Sequence, residues 1–170
     1  IPLDGREATV IRAFNVLRQY SEDDVAQHWA LAASRLTADG LLVDGTCDEL
    51  GRRAAWVAVE CAGPISLTLS WRLRDLDLPS QIAERLPKAL IHRNVPGERI
   101  HTVLAGLDEA WLRAAPHGAY GARQRFLAMV ADARAHGIPL LDRPTRWRLG
   151  ELTLPWANVA PGSSVAPGSS

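Results

Sequence analysis

Net charge is the first thing this chain lacks. Nineteen Lys and Arg balance nineteen Asp and Glu over 170 residues, so the formal charge at pH 7 is zero. Binding duplex DNA or an anionic membrane requires a concentrated basic surface, and the balance argues against both. Long apolar runs are missing as well. Nothing approaches the roughly 20 residues a membrane span needs, and Asp4, Arg6 and Glu7 interrupt any apolar leader at the start. With no sign of secretion, a cytoplasmic location is expected. Cysteine is scarce: Cys47 and Cys61 are expected to be reduced, buried thiols rather than a disulfide. No histidines stand at a spacing that would complete a zinc site, so no metal is expected. There is no nucleophile elbow, no P-loop, no Cys-x-x-Cys and no Gly-x-Gly-x-x-Gly. The last absence matters for an α/β chain, because that turn normally follows the first strand of a dinucleotide-binding unit.

What is present is an ordinary globular composition, 47% hydrophobic and 22% charged, at a length that suits one domain. That domain is expected over residues 1–158. Residues 159–170 repeat Val-Ala-Pro-Gly-Ser-Ser twice, a composition that favours a mobile coil. The start lacks a methionine, and Pro2, Asp4 and Gly5 resemble an interior loop, so a natural N-terminal portion is expected to precede Ile1.

The stretch Ala8 to Glu49 organises the rest. Ala8–Phe14 is predicted as a strand, Asn15–Tyr20 as a polar turn, Ser21–Asp39 as a helix and Leu41–Thr46 as a second strand. Ser21 with Asp24 three residues later suits a capping box. Val25, Trp29, Ala32 and Leu36 recur at helical spacing. Gly40 is positioned as a C′ glycine, and Leu41-Leu42-Val43 is apolar enough for a strand covered on both faces. A strand–helix–strand unit of this kind is nearly always parallel. Ligands of open parallel sheets bind outside the carboxyl ends of the strands, which here are Phe14-Asn15 and Thr46-Cys47-Asp48-Glu49.

Further on, Ala54–Val59 and Ile65–Trp71 are predicted as strands joined by a tight hairpin at Ala62-Gly63-Pro64. In the second of them Ile65, Leu67, Leu69 and Trp71 alternate with polar residues, a period of two. A short helix is expected at Gln81–Leu86, with brief strand or loop at Lys88–Ile91. Amphipathic helices are expected at Arg99–Ala115 and Gly121–His136. Trp147, Leu149, Leu152 and Leu154 suggest a final strand ended by Pro155.

Several residues are candidates for chemistry. Asn15 follows a parallel strand and either points its amide into the cleft or fills a turn. Asp48 and Glu49 could do acid/base work, or could be solvated loop charge. His92, Arg93, Asn94 and His101 form the densest polar patch, either a lid or an acceptor-contacting loop, with spacing that matches no metal motif. His28, His117 and His136 look like surface residues.

The run Arg12-Ala13-Phe14-Asn15-Val16-Leu17-Arg18-Gln19-Tyr20, followed by a helix and by Leu36-Thr37-Ala38-Asp39-Gly40-Leu41-Leu42-Val43, resembles the later part of class I S-adenosylmethionine-dependent methyltransferases. In that family the fourth strand ends in a phrase like Asn-Val-Leu, and the fifth follows Leu-x-Pro-Gly-Gly-x-Leu. Here Ala38-Asp39-Gly40 replaces Pro-Gly-Gly. The stretch Leu86–Gly97 adds likeness to an actinobacterial-type branch. The resemblance implies an α/β, partial Rossmann-like methyltransferase sheet with a parallel start, antiparallel edge strands and flanking helices. It also implies methyl transfer from S-adenosylmethionine, with positioning and desolvation supplying most of the rate. By position, Ala13, Phe14 and Asn15 would border the cofactor, Thr46 and Asp48 would lie across the cleft, and His92 and Arg93 would shape the acceptor pocket.

The family's glycine-rich turn and the acidic end of its second strand match nothing here. The expectation is therefore a C-terminal portion of a methyltransferase that binds cofactor weakly or not at all alone. A small molecule is the default acceptor. The alternative is a non-catalytic interaction domain that keeps a degenerate form of the fold. A truncated sheet would expose a strand edge, so self-association or a partner chain is expected there.

Overall fold

The computed structural model describes residues 6–162. The first five residues and the end of the repeated tail lie outside the described residues. Five strands form one open sheet: β1 Ala8–Phe14, β2 Leu36–Cys47, β3 Arg53–Glu60, β4 Gly63–Trp71 and β5 Glu151–Pro155. Five α-helices accompany them: α1 Glu22–Ala33, α2 Lys88–Ile91, α3 Arg99–Arg113, α4 Ala122–Ala135 and α5 Pro144–Trp147.

β1 and β2 pair in parallel, with Ile11 beside Leu42 and Phe14 beside Gly45. Every later pairing is antiparallel. Strand order follows chain order from β1 to β5, so the sheet has no switch point of the doubly wound kind. The protein is thus mixed α/β, with one parallel pair, an antiparallel remainder and flanking helices.

Alternation along the strands sorts the two faces. Ile11, Leu42, Val57, Leu67, Leu69 and Leu154 point to one side and are buried there. Val25 and Trp29 of α1, Ile100, Leu104 and Leu107 of α3, and Phe126 and Val130 of α4 join the same core. On the other face Phe14, Val43, Trp56 and Ala58 are only half-buried and Arg12 is exposed. β2 was expected to be covered on both faces, and it is not: Leu42 is buried whereas Leu41 and Val43 are partly open. The half-covered face has its own packing. Gly45 leaves room for the Phe14 ring, because a Cβ there would lie 2.7 Å from that ring and 2.8 Å from Trp56 Cβ. The Arg12 guanidinium stands 4.0 Å from the centroid of the same ring.

Several boundaries differ from the sequence reading. Ser21 does cap α1, its hydroxyl accepting from the Asp24 N–H. The helix, however, ends at Ala33, and the strand begins at Leu36. Gly40 is no helix cap. It lies inside β2 where the register slips between Ala8 and Val10, and a Cβ there would meet the Ala8 carbonyl oxygen at 3.0 Å. Lys88–Ile91 is a helical turn, and Trp147 belongs to α5 rather than to the last strand. Cys61 is exposed rather than buried, at the tip of the β3–β4 hairpin. Cys47 lies at the other end of the sheet, and both thiols are free. Val159 is fully buried and the Gly162 N–H donates to Glu98 at 3.0 Å, so the packed domain continues past residue 158.

Candidate functional site

The carboxyl ends of β1, β2 and β4 share one edge of the sheet, since β3 and β5 run the other way. Asn15 leaves β1 with φ of 59°, the one positive φ outside glycine among the described residues. Asparagine tolerates this conformation better than most residues. Its N–H donates to the Gly45 carbonyl at 2.7 Å, and its side-chain oxygen accepts the Cys47 N–H at 3.1 Å. The amide nitrogen faces Cys47 Sγ at 3.5 Å. Asn15 therefore splices the ends of the two parallel strands.

Its neighbours diverge. Ala13 points toward the core beside Asp44, whereas Phe14 lies on the half-covered face over Gly45. Thr46 is buried, and its hydroxyl donates to the Arg85 carbonyl. Asp48 holds the β2–β3 turn, its carboxylate accepting the Arg52 N–H at 2.7 Å with Arg53 Nε 4.0 Å away.

His92 and Arg93 follow α2. Arg93 reaches Glu22 in the first turn of α1 at 2.5 Å and Glu98 at 3.4 Å. Glu22 first, then Glu98, holds its guanidinium even more firmly protonated than usual. The Glu98 carboxyl lies below its ordinary value, first through the Gly162 N–H and then through Arg93. His92 is exposed, with Nε2 3.2 Å from Lys88 Nζ. His101 and Asn94 are in contact at 3.2 Å, whereas the side chains of His92 and Arg93 turn to other partners. Among the described residues no hydrogen bond or ion pair connects these four to Asn15, Thr46 or Asp48.

Behind these strand ends lies a buried carboxylate inside β2. Asp44 is 2% exposed. Burial pushes its pKa up to about 6, opposed only by the hydrogen bond from the Trp29 indole.

The same edge carries a feature the sequence reading missed. A cavity of about 220 Å³ opens between the ends of β3 and β4, lined by Arg52, Arg53, Arg72, Asp75 and Gln81. Arg53 Nη1 donates to the Gln81 carbonyl at 3.3 Å, and Arg72 pairs with Asp75 at 3.3 Å. The available signal was basic residues at the ends of two strands, Arg52-Arg53 at the start of β3 and Arg72-Leu73-Arg74 after β4.

Among the described residues no group of three His, Cys, Asp or Glu could hold a metal ion, and no helix is long and apolar enough to cross a membrane. A scan against protein-family models found no match, and searches of curated proteins and of solved structures found no significant relative.

Proposed function

We propose that this chain carries the acceptor side of a class I S-adenosylmethionine-dependent methyltransferase with a Rossmann-like origin, acting in the cytoplasm on a small molecule. The observation that carries the reading is the parallel β1–α1–β2 unit whose carboxyl ends meet at Asn15 and Cys47. It falls where the resemblance of residues 12–20 puts the methyl-transfer crevice. A residue held in a sparsely populated backbone region at such a point is a common mark of a functional site.

The residues present do not by themselves fit the cofactor. The Asn15 oxygen, the Thr46 hydroxyl and the Asp48 carboxylate are each engaged within the chain, and Ala13 and Phe14 face opposite ways. The 170 residues contain no glycine-rich turn to receive the methionine moiety. This chain alone is therefore expected to bind S-adenosylmethionine weakly or not at all. Calorimetry tests that expectation, and micromolar binding would overturn it. The methyltransferase reading is tested on the full reading frame. A strand–Gly-x-Gly–helix upstream, followed by a strand ending in Asp or Glu, supports it.

The committed polar groups at the strand ends favour a second reading, a non-catalytic interaction domain. Absence of the donor turn from the full frame, with no transfer of labelled methyl, would decide for it.

A further inference from the structure

An arginine-lined hollow lies beyond the end of β4. It has a volume of about 590 Å³, and Arg72, Arg74, Arg123 and Arg148 line it together with Tyr120 and Gln124. No carboxylate stands in its wall. Asp75, outside the wall, pairs with Arg72 at 3.3 Å. Arg74, Arg123 and Arg148 make no ion pair among the described residues. In a chain with equal numbers of each sign, the three guanidinium groups of Arg74, Arg123 and Arg148, with no carboxylate partner and no acid in the wall, form a local field that favours an anion.

We propose that this hollow binds a nucleotide-sized phosphate ester. Guanidinium groups suit phosphate because their fork matches two oxygens at once. The volume falls within the usual range for small-molecule sites. The first turn of α4 adds to the charge argument: it contains no acidic residue and receives no side-chain cap, so the N–H groups of Ala122 and Arg123 and the positive end of its dipole remain available, while Gly121 and Gln124 donate to backbone carbonyls. Tyr120 identifies the rest of the ligand. It stands at the rim with 78% of its surface exposed, an aromatic face on which a base can stack. A nucleic-acid strand would need a basic track running well beyond the hollow. Instead, the neighbouring cavity places Asp75 and Asp77 among its arginines.

The site is independent of the methyl-transfer reading, and its test uses ligands that separate phosphate from base. Calorimetry on the whole chain is run with ATP, inorganic pyrophosphate and adenosine. ATP and pyrophosphate bind, and adenosine does not. The Arg74→Gln/Arg123→Gln pair weakens ATP and pyrophosphate at least about tenfold, the scale of a lost charged hydrogen bond. Tyr120→Ala weakens ATP by about tenfold and leaves pyrophosphate unchanged. Arg146→Gln, whose arginine is tied to Glu151 at 2.6 Å outside the hollow, changes neither ligand. The single variant Arg148→Gln stands in if the pair fails to fold. Absence of ATP binding at about millimolar concentration, binding unaffected by the arginine changes, or binding of a single-stranded oligonucleotide but not of ATP would each overturn the proposal.

Discussion

The Trp29 indole N–H donates to Asp44 Oδ2 at 3.0 Å inside the core, joining α1 to the middle of β2. The carboxylate is held there at a cost. Its pKa is about 6 when folded and near the ordinary aspartate value of 3.8 when unfolded, so between those values the folded state retains a proton that the unfolded state has released. Stability attributable to Asp44 is therefore highest below about pH 4 and falls as pH rises to about 6, by roughly 3 kcal/mol. Asp44→Asn keeps an acceptor for Trp29 but adds an amide N–H₂ without an assigned partner. The expected net gain at pH 7.5 is about 1–2 kcal/mol, turning into a net loss of about 1 kcal/mol near pH 4, where the wild-type carboxyl is protonated in the folded state. Urea melts at both pH values measure it, and a gain independent of pH would refute the assignment.

Asn15 serves geometry and hydrogen bonding together, and substitutions separate the two. Asn15→Ala places a Cβ without a polar group at positive φ and removes the Cys47 acceptor, an expected loss of about 2–3 kcal/mol. Asn15→Gly loses only the hydrogen bond and is expected to cost about 1 kcal/mol. Equal losses in denaturant midpoints would show that the backbone conformation carries no strain.

Gly45 and Phe14 form a lock and its keyhole on the half-covered face. Gly45→Val is expected to destabilise by about 1–3 kcal/mol through overpacking against Phe14 and Trp56. The penalty should shrink by about 1 kcal/mol in a Phe14→Ala background, measured as a double-mutant cycle. Additive effects would mean that the ring does not fill this space.

β1 pairs with β2 alone among the described residues, and Val10 on it is 62% exposed. Its outer edge offers unpaired backbone groups to a second chain. Light scattering is expected to show concentration-dependent self-association that Val10→Lys suppresses. A monomer at every concentration tested would count against this edge as an interaction site.

Legibility in the sequence tracked how local each signal was. The β3–β4 hairpin was readable because Leu67, Leu69 and Trp71 alternate with polar residues, and that period belongs to strands alone. The join between α1 and β2 was misread for a physical reason. Leu36 continues the helical spacing of Val25 and Trp29, and Gly40 imitates a cap, although its smallness serves the close passage of Ala8. Leu149 looked like a strand residue and is 62% exposed. The site was half legible. The strand ends at Asn15 and Cys47 followed from topology rules, but nothing local shows that Asn15, Thr46 and Asp48 are occupied by backbone groups of Cys47, Arg85 and Arg52. Arg72, Arg123 and Arg148 come from three separate segments, so their common hollow exists only after the chain has folded.

Matching chain order to sheet order also sets a sequence of events. The first four strands can zip together from near neighbours, with α1 as the longest detour among them. β5 arrives differently: the hydroxyls of Thr68 and Thr153 meet at 2.9 Å across 85 positions of chain, and closing so long a loop is slow relative to hairpin formation. The final strand, with the arginine-bearing segment just before it, is thus expected to be the last part of the sheet to dock.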